Sequence, residues 1–179
     1  AGSDGLDPAI VPVDVRDPAL VDIASLRVAF YSENGSAFPT EETKATVESA
    51  ASVLEKSGAK ITKRCPAPAK ETPTLVERIM FGDGLAWHHR GRFKAGTLSE
   101  SNLKKRLSHN KSVVDFSESL SDWNRFRGRM LEFMQDFDVI LCPVQASPAP
   151  PHSNAWKGGP GYSYTQTYSL TGWPSTVVR

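Results

Sequence analysis

Serine and lysine stand three positions apart at Ser57/Lys60, Ser101/Lys104 and Ser108/Lys111. On one helical turn that spacing lets the lysine take the serine's proton, as in some acyl-transfer enzymes. A chain this rich in both residues yields about one such match by chance. The first pair straddles Gly58 at an expected helix end, and the other two fall in a polar, basic stretch. Solvated surface accounts for all three. His88 and His89 are adjacent, and neighbours on a helix point roughly 100° apart. No His-Glu-x-x-His run or Cys/His ligand spacing accompanies them, so no metal site is expected. Gly158-Gly159-Pro160-Gly161 has neither a preceding strand nor a following helix in this reading, so it is a flexible loop and not a phosphate cradle. The basic stretch from His88 to Lys111 holds seven Lys and Arg against Glu100. Only Phe93 is interleaved there as a stacking platform, so a solvated loop is the better reading.

The region most like a site is 143–174. It carries Trp156, Tyr162, Tyr164, Tyr168 and Trp173 among Gly, Ser and Thr. Aromatic and small polar residues on a loop after a buried strand line apolar ligand pockets, although they also pack cores. No Asp or Glu follows Asp138, so this region offers a bound amine no carboxylate. Trp156, Tyr162, Tyr164 and Trp173 are the candidate substrate-binding residues, and no residue is assigned a catalytic role.

The elements that must position them are legible in part. Residues 1–25 read as an extended arm rich in Pro, Asp and Gly. Leu26–Tyr31 alternates like a strand. A helix follows from the cap Thr40, with Val47, Ala50, Ala51 and Leu54 on one face, and Gly58 closes it. Ala59–Arg64 is the next strand, completing a βαβ unit. A second helix starts near Thr74 and is weakened by Gly82 and Gly84. A long amphipathic helix covers roughly 110–136, with Phe116, Leu120, Trp123, Phe126, Met130 and Phe133 recurring at three or four. Asp138–Pro143 is a buried strand, a loop runs from Val144 to about Tyr164, and Thr176–Arg179 begins a last strand.

The chain has 179 residues and 19.5 kDa, enough for one domain with a core. Its composition, 39% hydrophobic and 23% charged, excludes a disordered tail and a disulfide miniprotein. The net charge of +1 removes any global attraction to nucleic acid or acidic membranes. No stretch nears a membrane span, and no signal peptide is expected from the opening residues. Cys65 and Cys142 lack a CxxC partner, so two buried thiols in a reducing, cytoplasmic compartment are expected. An apolar strand at the chain's end implies a truncated domain, because an open edge invites pairing.

Three ordered segments resemble the second half of the amidase signature hydrolases. They are the entry Asp4-Gly5-Leu6-Asp7-Pro8 with Leu26–Phe30 and its βαβ unit, the strand Phe137–Pro143, and the turn Tyr168-Ser169-Leu170-Thr171-Gly172-Trp173-Pro174. The resemblance implies an α/β fold, with 26–179 as the C-terminal portion of a mixed-sheet α/β/α domain. It implies hydrolysis of amides through an acyl-enzyme, with a serine nucleophile, a bridging cis-serine and a lysine base, and no cofactor. That machinery lies in the family's first half, around a Gly/Ser-rich signature that has no counterpart here. The chain is therefore expected to be inactive alone, to wall the pocket for a small-molecule amide, and to form a homodimer or strand-swapped oligomer. A glutamine-handling subunit of a tRNA-dependent amidotransferase shares the chemistry but needs a carboxylate for the α-ammonium. A non-catalytic α/β interaction module would instead be a stable monomer.

Overall fold

A computed structural model describes residues 17–80, 82, 86–97, 99, 101, 112–149, 151–153 and 160–178. The expected βαβ unit is present: β1 (Arg27–Phe30), α1 (Glu41–Lys56) and β2 (Lys60–Lys63). Thr40 caps α1, its hydroxyl accepting from the Thr43 N–H, and Glu41 and Glu42 sit at the positive end of the helix dipole. Gly58 turns the chain out of α1 at φ 98°, where a Cβ would also lie 3.0 Å from that of Ala24.

β1 pairs in parallel with β2 on one side and with β3 (Val139–Leu141) on the other. Parallel crossovers are right-handed. Reaching β2 and then returning past β1 to β3 reverses the direction of travel. The rule therefore puts α1 on one face of the sheet and the helices between β2 and β3 on the other. The second face carries α2 (Thr72–Met80) and α4 (Val113–Phe133), joined after β3 by α5 (Ser163–Thr171), and a further helix, α3 (Ala86–Lys94), lies between α2 and α4 in the chain. Leu75 and Val76 of α2, Phe126 and Met130 of α4 and Leu170 of α5 form one core, edged by Trp123, Tyr168 and Trp173. Phe133 and Phe137 close on Ala29 of β1, their rings 4.9 Å apart. Ser112 starts α4 with a full capping box, reciprocated by Asp115.

Several expectations need correction. The arm's described part, 17–25, holds two 3₁₀ turns capped by Asp17 and Asp22. The second helix begins at Thr72, after a 3₁₀ turn over Ala67–Glu71, and ends at Met80. The basic stretch is not all loop, because Ala86–Lys94 is helical. β3 is only partly covered, with Val139 41% exposed, since it is a sheet edge among the described residues. The loop expected to reach Tyr164 instead gives way to a 3₁₀ turn over Pro160–Tyr162 and then α5. Propensity hides α5: Ser, Thr and Tyr are indifferent helix formers, and burial of Tyr164, Thr167 and Leu170 stabilises it. Residues 173–178 form no strand, and Val177 and Val178 are exposed, because no ladder partner reaches them among the described residues.

Arg27 and Asp138 hold the two strands in register from their first residues. The guanidinium donates through Nη2 to Oδ1 at 2.8 Å and through Nε to Oδ2 at 3.1 Å. The Arg27 N–H adds a bond to Oδ2, and the Asp138 N–H returns one to the Arg27 carbonyl. This clamp holds the Asp138 carboxyl down at about 2, chiefly through the Arg27 side-chain bonds. A depressed value stabilises the fold above the ordinary 3.8 and loses that contribution as the pH falls toward about 2. In urea titrations between about pH 4 and pH 2, Asp138→Asn should show a shallower loss of stability than the parent. Equal slopes would mean that the clamp does not contribute.

Candidate functional site at the carboxyl edge of the sheet

The segments leaving β1 and β3 diverge to opposite faces, which makes the gap beyond their carboxyl ends a topological switch point, where open α/β sheets bind ligands. Tyr31 follows β1 and Cys142 follows β3, with the Tyr31 N–H bonded to the Leu141 carbonyl at 3.1 Å. α5 lies across this edge. The Tyr31 and Tyr168 hydroxyls are 2.9 Å apart, and the Cys142 thiol is 3.6 Å from the Tyr168 oxygen. The Tyr164 ring stacks on Tyr31 with centroids 6.3 Å apart, and its hydroxyl donates to the Ser32 carbonyl at 2.7 Å. Asn34 donates to the Ser163 hydroxyl at 2.8 Å while its Oδ1 accepts the Ser36 and Ala37 N–H groups. Every polar group that α5 buries against the β1–α1 loop thus has a named partner, as burial demands.

Burial dominates the acid–base character of this edge. It pushes the phenols of Tyr31 and Tyr168 well up, Tyr164 up to about 12, and the Cys142 thiol up. Cys65, beyond the end of β2, rises to about 12, first through burial and then through nearby Cys142. All five groups are protonated at neutral pH. They can donate hydrogen bonds and present an apolar wall, but none is a nucleophile or base.

The sequence candidates divide. Tyr164 reaches the edge and is fully buried, and Tyr162 is 43% exposed at the start of α5. Trp173 is half-buried on the α2–α4 core, away from Tyr164's cluster. Trp156 lies outside the described residues, as do Ser108, Lys104 and Lys111. Ser57 donates to the Val53 carbonyl at the end of α1 and so caps a helix. Tyr31, Cys65 and Cys142 were missed as site residues, although each closely follows a strand's carboxyl end, the signal that would have found them. Both thiols are free and half-buried, more exposed than expected. Among the described residues no His, Cys, Asp and Glu cluster suits a metal, and no helix is long and apolar enough to cross a membrane.

A family model described as Amidase matches residues 3–179. The acetamidase of Emericella nidulans is 24% identical over 189 residues, covering 96% of this chain and 34% of that protein. Fatty acid amide hydrolase superposes with a TM-score of 0.71 at 21% identity, over 90% of this chain and 29% of its own. For 6-aminohexanoate cyclic dimer hydrolase the TM-score is 0.72 at 17% identity, over 96% of this chain and 42% of its own. The chain thus spans about a third of the curated relative it matches.

The edge's protonation is open to a direct check. A shift from 9.0 to about 12 cuts the Cys65 thiolate fraction about a thousandfold near neutral pH. In the native protein at about pH 8, iodoacetamide should alkylate Cys65 at least about tenfold more slowly than free glutathione, and at an ordinary rate in urea. Rapid native labelling would contradict the protonated wall.

Proposed function

Since the chain belongs to the amidase family, we propose that it supplies the neutral, aromatic part of the substrate pocket of an enzyme hydrolysing carboxamides through a serine acyl-enzyme. The observation that carries this reading is the carboxyl edge, where Tyr31, Tyr164, Tyr168 and Cys142 converge with no charge among them. This neutral aromatic set suits an uncharged, small or hydrophobic amide, while the charged side chains of Glu33, Lys44, Glu48, Lys63 and Arg64 line the cleft beside Tyr31 and Cys65. The names of the relatives, an acetamidase and a fatty acid amide hydrolase, bracket that range of acyl groups. The serine nucleophile, bridging serine and lysine come from outside these 179 residues, so this portion is inactive alone. Tyr162, exposed beside the wall, contacts the acyl group. Tyr164 positions the wall from behind. Two unpaired thiols fit a reducing compartment, the cytoplasm.

The test is ammonia release from acetamide and a long-chain primary amide. The whole protein should hydrolyse at least one, and the 179-residue chain neither. Tyr162→Ala should raise KM about three- to tenfold and leave kcat within about twofold, as loss of uniform binding does. No hydrolysis by the whole protein, or turnover by the chain alone, would sink the reading.

We also propose that the chain alone self-associates. α4 exposes Val113, Phe116 and Leu131, and β3 exposes Val139. Exposed large apolar side chains and an open strand edge favour pairing. Light scattering behind size exclusion should give a dimer or larger, whereas a stable monomer would refute this.

A further inference from the structure

A second, open cleft of about 770 Å³ lies between α2 and α4, beside the β1–α1 loop at Gly35. Its chemistry is the reverse of the carboxyl edge. Among the described residues that line it, Lys70, Arg78, Arg125 and Arg129 stand against the two carboxylates Glu71 and Asp122. Both carboxylates are already engaged. Asp122 accepts from Arg78 Nη1 at 2.5 Å and from Arg125. Glu71 takes Arg129 through both oxygens, one of them at 2.8 Å from Nη1. Hydrogen bonds from Arg125 and then Arg78 hold the Asp122 carboxyl below its ordinary value, so the pairs stay charged at neutral pH.

These contacts fix the guanidiniums without exhausting them. Arg78 is held from two sides, by Asp122 and by the Ser119 hydroxyl accepting from Nε at 3.2 Å. Its Nη2 remains. A guanidinium has five donors, and Arg125 uses one of its own toward Asp122. The Lys70 backbone is tied down by the Ser36 hydroxyl donating to its carbonyl at 2.9 Å. Its ammonium has no carboxylate partner among the described residues. Among the described lining residues, four cations thus meet two carboxylates, and the cleft offers preset planar donors in a volume within the range of small-molecule sites.

We propose that the α2–α4 cleft binds a compact oxyanion of charge two or more, a phosphate- or polycarboxylate-bearing small molecule, ligated by Lys70, Arg78 and Arg125. Preorganised guanidiniums recognise both groups through paired N–H donors. A nucleic-acid chain does not fit: the cleft wall has no aromatic residue on which a base could stack. The proposal does not depend on amide hydrolysis and can fail separately from it.

The test is calorimetric titration of the whole protein with inorganic pyrophosphate and, separately, citrate, at low and at physiological salt. Saturable one-to-one binding of either anion, weakened about tenfold by Lys70→Gln and by Arg125→Gln, is the expected result, since each change removes a charge-assisted contact. Binding of pyrophosphate alone would identify a phosphoryl ligand, and of citrate alone a polycarboxylate. Lys70 is exposed and the Arg125 side chain is 71% exposed, so both variants should unfold at the parent's temperature. No saturable heat with either anion, or equal affinity in parent and both variants, would overturn the proposal and leave a structural ion-pair network.

Discussion

A four-residue strand, β1, is hydrogen-bonded on both sides, and the remaining elements are placed by how the chain reaches each neighbour. With both flanks occupied and crossovers of one hand, α1 must cover one face, and α2 and α4 the other. Val28 and Ala29, successive residues pointing to opposite faces, are 1% and 0% exposed. That is what double coverage requires of a parallel strand. The Arg27–Asp138 clamp matters because β3 lies more than a hundred residues downstream, and a slip of one residue would turn Ile140 away from Phe133 and Phe137.

The same topology explains the polar core at the carboxyl edge. The segment after β1 must leave toward α1 while α5 covers the gap, so beyond Tyr31 the buried residues Ser32, Asn34 and Ala37 have backbone groups that no strand pairs among the described residues. Tyr164, Asn34 and Ser163 satisfy them. Beside them the Thr72 and Thr167 hydroxyls meet at 2.7 Å, both fully buried, linking α2 to α5. A network of this kind fixes one geometry, since each unmet group would cost about 1–3 kcal/mol.

Periodicity made α1 and most of α4 legible, and β-branched runs flanked by Pro and Gly marked all three strands. The cap at Thr40 marked the start of α1 in the sequence, whereas the Ser112 capping box that starts α4 came to light only in the structure. α5 was hidden because its residues carry no helical signal of their own; burial of Tyr164 against Tyr31 decides its state. For the same reason the aromatic set looked like one loop-borne cluster. Once residues 163–171 are helical, Tyr164 and the nearby Trp173 belong to different cores. The thiols and Tyr31 went unread as site residues because only the strand order shows that they share an edge.

The two regions beside the β1–α1 loop show how surroundings, more than residue type, set chemistry. At the carboxyl edge the phenols and thiols are buried, so desolvation keeps them neutral although Lys44, Lys63 and Arg64 line the cleft beside Tyr31 and Cys65. In the α2–α4 cleft, carboxylates and guanidiniums stay near solvent and in contact, so pairing keeps them charged. A neutral wall discriminates by shape and hydrogen bonding, whereas a charged cleft discriminates by the valence of what enters. Gly35 borders the cleft, and the loop that carries it is fixed by the network under Tyr164. Any change in one region that moves residues 34–37 therefore reaches the other through a handful of buried hydrogen bonds. That loop is the physical link between the two regions.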